Sequence, residues 1–386
     1  MDKANFSAKS SGRLHLAETN AWAFVPNPLP PIIQIDWELA SLIADATGKV
    51  AELAGIARTL PNPHLLIKPF IRREAVLSSR IEGTQASLSD LLAFEGVEKA
   101  PDSQSADLIE VVNYVDAMEH GLSSLATTPL CLRTIKEMHS ILIEGTRGDG
   151  LRTGDFRTVQ NYIGQPGCTI RTARYVPPPV PEMIGLLTQL ERFIHEPTNL
   201  PPLVKFALIH YQFESIHPFL DGNGRVGRLL TTLLLCSEGL LPQPLLYLSA
   251  FFEHHRREYY DLMLDVSQNG AWEEWVLFFL RGIVQQSKDA VSRSRKLQDL
   301  RQAYQDKFVT ARTNLPVRFI DYLFFSPFTS VGRAAEYLEI TPRAVQKNID
   351  KLAEEGVLEE VTGRQRNRVF RASEIMSILD ADFTFD

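Results

Sequence analysis

Cysteine is nearly missing from this chain. The three present, Cys131, Cys168 and Cys236, are odd in number, far apart and without a CxxC pair. That argues against a disulfide framework and against a cysteine zinc site, and fits a reducing cytoplasmic compartment. Long apolar runs are missing too: Thr231 and Thr232 divide the richest one, Pro242 and Pro244 the next. No segment therefore reaches the 18 or so residues a membrane helix needs. The N-terminal MDKANFSAKSSGRLHL lacks the apolar core of a secretion signal and is expected to start disordered. Neither charge dominates, since 40 Lys and Arg stand against 47 Asp and Glu for a net charge of −7. A general coat for nucleic acid is excluded by that balance, although a local basic patch is not. No internal repeat or low-complexity tract occurs. What is present is ordinary for a globular chain, 44% hydrophobic and 23% charged residues, and 386 residues suggest two or three domains at roughly 100 to 200 residues each.

Apolar spacing predicts a mainly α protein. After an extended, proline-rich lead-in (24–31), helices are expected over 35–60, 69–81, 87–95, 107–122, 130–143 and 181–194. Two helical runs within 201–237 are separated by HPFLDGNGR, and two within 256–284 by Asn269-Gly270. The exception is 154–179. There the β-rich stretches 158–162 and 168–172 flank Gly164-Gln165-Pro166-Gly167 and predict a β-hairpin. Residues 287–312 carry seven Lys or Arg against three Asp and no Pro or Gly, which predicts a solvated connecting helix. The expected organisation is an N-terminal helical region (1–106), a helical domain (107–286), and a linker helix with a small C-terminal domain (287–386).

One segment carries chemistry. His217 to Arg228 (HPFLDGNGRVGR) ends one helical run and opens the next, so its glycines sit at a helix N-terminus. Free backbone N–H groups and the helix dipole suit that place to phosphate, and Gly222 and Gly224 allow close approach of a polyanion. Arg225 and Arg228, three apart, share a face and can reach one chain of phosphates. Asp221 is placed to hold Mg²⁺ bridging those phosphates. His217, four residues earlier, is placed to take a proton from an attacking hydroxyl. His210 and the adjacent His254-His255 do not read as a metal site, because neighbours on one helix cannot both face one ion.

These residues match the Fic signature HxFx[D/E]GNGRxxR at all eight fixed positions, and the chain resembles a Fic family protein. The resemblance implies a helical Fic core with a small β-hairpin flap, and transfer of AMP from ATP to a Ser, Thr or Tyr hydroxyl of a target protein or of the chain itself. It implies His217 as base, Phe219 as core anchor, and Asp221 as Mg²⁺ ligand. It further implies Gly222, Asn223, Gly224, Arg225, Gly227 and Arg228 as the nucleotide cradle. Upstream, Ser78, Glu82 and Gly83 match the [S/T]xxxE[G/N] inhibitory motif, which implies that Glu82 pairs with Arg228 where a γ-phosphate would lie. The 154–179 hairpin resembles the family's flap, whose edge receives an extended target segment. Tyr260 and Asn269 resemble its adenine contacts.

Toward the C-terminus, 329–338 reads as a short helix, 339–341 as a turn, and 342–355 as a second helix with Thr341 as cap and Pro342 at its first position. That is helix-turn-helix spacing. The stretches 357–361 and 368–370 flank a bend at Gly363 and resemble a winged-helix wing bearing Arg364, Arg366 and Arg368, with Arg371 beyond. With Arg343, Lys347 and Lys351 on the second helix, this raises DNA binding. The full order of inhibitory helix, Fic core and winged helix (α+β) resembles SoFic-type bacterial proteins, which implies a homodimer. The alternative function is a DNA-binding regulator whose Fic core only senses a nucleotide.

Overall fold

A computed structural model describes residues 1–17, 20–59, 64–96, 106–146, 153–308, 313–364 and 366–381. The N-terminus is ordered, contrary to the sequence expectation. Strand β1 (Gly12–Leu16) pairs antiparallel with β2 (Trp22–Pro26), in register from Gly12 opposite Pro26 to Leu16 opposite Trp22. Met1 and Phe24 bury themselves with Ala173, Tyr175 and Val176 in a small second core. Part of the proline-rich lead-in is thus a strand whose apolar side chains found a partner far along the chain.

Helix α1 (Trp37–Thr59) is followed by α2 (His64–Ile81), which starts five residues before the expected position. Pro69 lies inside it. One lost backbone hydrogen bond near the helix start is outweighed there by the burial of Phe70, Ile71, Ala75 and Val76. Next come α3 (Leu88–Gly96), α4 (Ala106–Ser124), α5 (Leu132–Ile143), α6 (Val180–His195), α7 (Pro202–Ile216), α8 (Asn223–Ser237), α9 (Ser249–His254) and α10 (Arg256–Asn269). Every expected helix in this region forms. Helices α7 and α8 pack on each other at the centre, with Leu229, Leu230, Leu233 and Leu234 buried as the stripe they form predicts.

Helix α11 (Trp272–Asp306) runs unbroken for 35 residues. Its second half is not the solvated connector expected from its charge: Ala290, Val291 and Leu297 are buried, and so are Asp289 and Arg293. Arg293 bonds Asp289 and caps the end of the last helix through the carbonyls of Ile378, Leu379 and Ala381. The expected solvated connector is therefore partly an internal polar cross-link. Beyond it lie α12 (Leu315–Phe325), β3 (Phe328–Ser330), α13 (Val331–Leu338), α14 (Pro342–Glu354), β4 (Glu359–Glu360), β5 (Val369–Arg371) and α15 (Ser373–Asp380). The three short strands form one antiparallel sheet in the order β3-β5-β4. Thr341 caps α14 by accepting from the Ala344 N–H, with Pro342 at the first helical position. Among the described residues no helix is long and apolar enough to cross a membrane.

Candidate active site

The loop between α7 and α8 is held by its own side chains. His217 closes α7 in the left-handed region at φ 50°, ψ 62°. Asn223 brackets the loop: its Oδ1 accepts from the Phe219 N–H and its Nδ2 donates to the Phe219 carbonyl, both at 2.8 Å. Phe219 is fully buried and stacks on His139, ring centroids 3.7 Å apart and nearly parallel. His139 Nδ1 accepts from the Gly154 N–H, so its Nε2 carries the proton and donates to the Asp221 carbonyl at 3.1 Å. Burial pushes His139 down to about 4, which keeps that tautomer neutral. Gly222 adopts φ 77°, and a Cβ there would lie 2.9 Å from Ile143. Only glycine suits this position.

Beyond the loop, α8 presents its N-terminus with two buried arginines. Arg225 lies 3.5 Å from Glu110 and 3.9 Å from Asp221. Arg228 donates Nε to Ser78 Oγ at 2.8 Å, and Nη2 both to the Ser78 carbonyl at 3.0 Å and to Glu82 Oε1 at 2.7 Å. Its Nη1 and the Arg225 Nε are buried without a hydrogen-bond partner among the described residues. Orphaned cationic donors at a helix N-terminus are what an anion would satisfy. Glu82 occupies that place now, and a Cβ on Gly224 would collide with its Oε1. It reaches there because α2 ends at Ile81 and Gly83, at φ 104°, turns the chain away.

The electrostatics follow from burial and from Arg228. Burial raises the Glu82 carboxyl, but the charge and hydrogen bonds of Arg228 outweigh it, so Glu82 sits below the usual carboxylate range. Burial pushes His217 down to about 4, against smaller upward effects of the Glu214 carbonyl, Glu82 and Asp221. The ring is neutral at neutral pH. Its Nδ1 lies 3.3 Å from the Glu214 carbonyl, which assigns the proton to Nδ1 and the lone pair to Nε2. Tyr260 is close to the pair as well: burial, then the Glu82 charge, raises it to about 12.

Two expected site residues are placed differently. Gly227 does not face the anion position; a Cβ there would collide with Glu214 Oε1, so this glycine makes room for a buried carboxyl. Asn269 lies at the exposed end of α10, where it donates to Asp265, nine residues beyond Tyr260. The 154–179 segment also differs from a regular hairpin. Its strands do not form, and pairing is confined to one antiparallel bridge between Ile163 and Tyr175. The four-residue Gly-Gln-Pro-Gly turn and the further turns around Thr169 to Thr172 use up the residues that would have made a ladder.

Several functional neighbours escaped the sequence reading. Glu214 is raised to about 7 by burial, against the Arg228 charge; its place one helical turn before His217 was the available signal. Glu74, raised to about 7 by burial, accepts hydrogen bonds from Tyr114 and Ser249. Arg157 and Asn161 reach the His217 carbonyl, and nothing in their local pattern announced it. His210 is a packed core histidine, bonded to Tyr259 and Thr231.

No group of three or more metal-binding side chains occurs among the described residues. Mg²⁺ is commonly held by one or two carboxylates together with substrate phosphates. Asp221, with its side chain half exposed beside the anion position, is the hard oxygen donor such an ion requires.

Residues 40–123 match the model of the Fic/DOC family N-terminal region, and residues 129–235 that of the Fic/DOC family. The chain is similar to "Protein adenylyltransferase Fic" of Drosophila grimshawi, 31% identical over 166 residues, which is 42% of this chain and 32% of that one. It is similar also to the Culex quinquefasciatus protein of the same name, 28% identical over 203 residues, covering 51% and 37% of the two chains. It spans about a third of the length of these relatives. Among solved structures, a Fic family protein from Desulfovibrio desulfuricans G20 superposes with a TM-score of 0.58 at 20% identity, over 89% of this chain and 98% of that one. Fic-1 from C. elegans superposes at 0.51 with 21% identity, over 68% and 74%. These two share the fold.

Proposed function

For a chain that carries the Fic/DOC N-terminal region and the Fic domain, we propose the activity of a protein adenylyltransferase, held back by its own Glu82. One observation carries this reading: a helix N-terminus with two buried arginines, one blocked by a carboxylate, opens six residues after a neutral histidine whose Nε2 has no hydrogen-bond partner among the described residues. The adenylyltransferase relatives support ATP as the substrate. Its phosphate tail would take the place of Glu82, satisfying Arg228 Nη1 and Arg225 Nε.

His217 Nε2 accepts the proton of a Ser, Thr or Tyr hydroxyl on a target protein or on the chain itself. The hydroxyl oxygen bonds to the α-phosphorus, the bond from that phosphorus to the bridging oxygen breaks in line, and pyrophosphate leaves toward Arg225 and Arg228. AMP remains on the target. Mg²⁺, held by Asp221, would supply charge neutralisation on the phosphates. Tyr260 would contact the nucleotide. The loop 154–179 would receive the target segment at its edge, beside His217.

The test compares wild type, Glu82→Gly and Glu82→Gly with His217→Ala, using ATP labelled at the α- or the γ-phosphate. Label from the α-position, strong in Glu82→Gly and lost with His217, supports the reading. Label from the γ-position would make the chain a kinase instead.

A second reading concerns 287–386, taken as a winged-helix domain that contacts DNA. Arg343, Lys347, Arg364 and Arg366 are exposed, whereas the acidic end of α14 abuts the tail of α11, where Lys307 donates to the Glu355 carbonyl. Arg343 and Lys347 thus lie in the N-terminal half of α14, where a recognition helix reads base edges, while Lys351 in its last turn sits over the Phe308 ring.

A further inference from the structure

Arg157 is 1% exposed. No carboxylate among the described residues pairs with it. A buried guanidinium without a counter-charge is costly unless its donors are used, and here they are used on carbonyls. Nε donates to His217 at 3.0 Å, Nη1 to Val159 at 3.3 Å and Nη2 to Pro178 at 2.5 Å. Its own N–H donates to the Pro218 carbonyl at 2.8 Å. Asn161 adds a second clamp, donating Nδ2 to the Phe219 carbonyl at 2.8 Å and to that of His217 at 3.4 Å. His217 needs restraint because a residue with a Cβ disfavours the left-handed conformation it adopts.

We propose that Arg157, seconded by Asn161, is a positioning residue that fixes the backbone of His217 and ties it to both ends of the 154–179 loop. The base and the loop beside it then form one rigid unit. A target segment resting on the loop finds its hydroxyl registered against Nε2 by the same guanidinium that orients the histidine. The anion position has separate supports, the Asn223 bracket and the His139 bond to Asp221, so nucleotide binding does not depend on this clamp. The inference rests on the adenylyltransferase reading.

The experiment uses the full chain in the Glu82→Gly background and compares Arg157→Lys, Arg157→Met and Asn161→Ala. The expected result is a fall in kcat of about tenfold or more for Arg157→Met, with KM for ATP changed less than twofold. Arg157→Lys should recover part of the loss and Asn161→Ala should show a smaller one. Nitrogen-15 NMR of labelled histidine gives a readout independent of activity: His217 should report one Nδ1–H tautomer in the parent and a mixture in Asn161→Ala. Unchanged kcat with an unchanged tautomer overturns the inference, and so does a parallel change of kcat and KM. Should the Arg157 variants fail to fold, Asn161→Ala, whose side chain is only partly buried, decides the matter. A parent that transfers no AMP defeats the adenylyltransferase reading, while the NMR arm still decides the clamp.

Discussion

Replacing Glu82 by glycine should accelerate AMP transfer about ten- to a hundredfold. The pair at 2.7 Å joins an Arg228 side chain that is 2% exposed to a Glu82 side chain that is 35% exposed. At an effective dielectric constant of about 20, two unit charges at that distance attract by roughly 6 kcal/mol. Desolvation and the open side of Glu82 offset most of this, leaving about 1.5–3 kcal/mol, as for other hydrogen bonds to charged groups. Each 1.36 kcal/mol is a factor of about ten. Glu82→Gln, which keeps the shape and drops the charge, should lie between wild type and Glu82→Gly. The sign of the pH dependence is fixed as well. Because the Glu82 carboxyl is depressed, its ionised pairing is present above the ordinary carboxylate range and is lost only as pH falls through the depressed value. The brake therefore holds throughout neutral pH. The assay is the initial rate of α-labelled AMP incorporation at saturating target; equal rates for wild type and Glu82→Gly, with ATP bound equally well by both, would refute the reasoning.

Gly227→Ala should destabilise the fold by about 1–3 kcal/mol through its collision with Glu214, seen as a lowered Tm, and Glu214→Ala in the same chain should restore most of it. Glu74 is buried with its carboxyl raised to about 7, so the folded state binds a proton that the unfolded chain releases near pH 4.5. Stability should fall as pH rises from about 4.5 to 7 and level off above, by about 3 kcal/mol from this group; Glu74→Gln should flatten that part of a Tm-against-pH profile. If the C-terminal region contacts DNA, a duplex should shift in a salt-dependent manner, and Arg343→Ala combined with Arg366→Ala should abolish the shift; a full shift by the double variant would remove these residues from the interface.

Helices were legible in the sequence because their apolar spacing reflects a burial pattern that tertiary contacts only reinforce. The N-terminal hairpin was not. Strand β2 reads as part of a proline-rich lead-in, and its Phe24 packs with Tyr175 and Val176, some 150 residues later. The second half of α11 misled in the opposite sense, since Asp289 and Arg293 satisfy each other and a helix end instead of facing water. At the site, the loop from His217 to Arg228 was legible because one contiguous segment carries the chemistry. The adenine-contact expectation for Asn269 was loose because α10 carries it about two and a half turns past Tyr260. Glu214, Glu74, Arg157 and Asn161 act through bonds to distant backbone or to other buried charges, and no local pattern encodes that.

The position of α2 has a mechanical consequence. Along its length the helix leans on the C-terminal elements: the Lys68 ammonium lies 4.3 Å over the Phe325 ring of α12, and Arg73 lies 3.6 Å from Asp289 of α11. Past its far end stands Glu82. Eighteen residues make a rod of about 27 Å, and a tilt of about 5° around one end moves the other by about 2 Å. That displacement is comparable with the whole length of the Glu82–Arg228 bond. A lever of this kind needs no large rearrangement at its handle to open the latch at its tip.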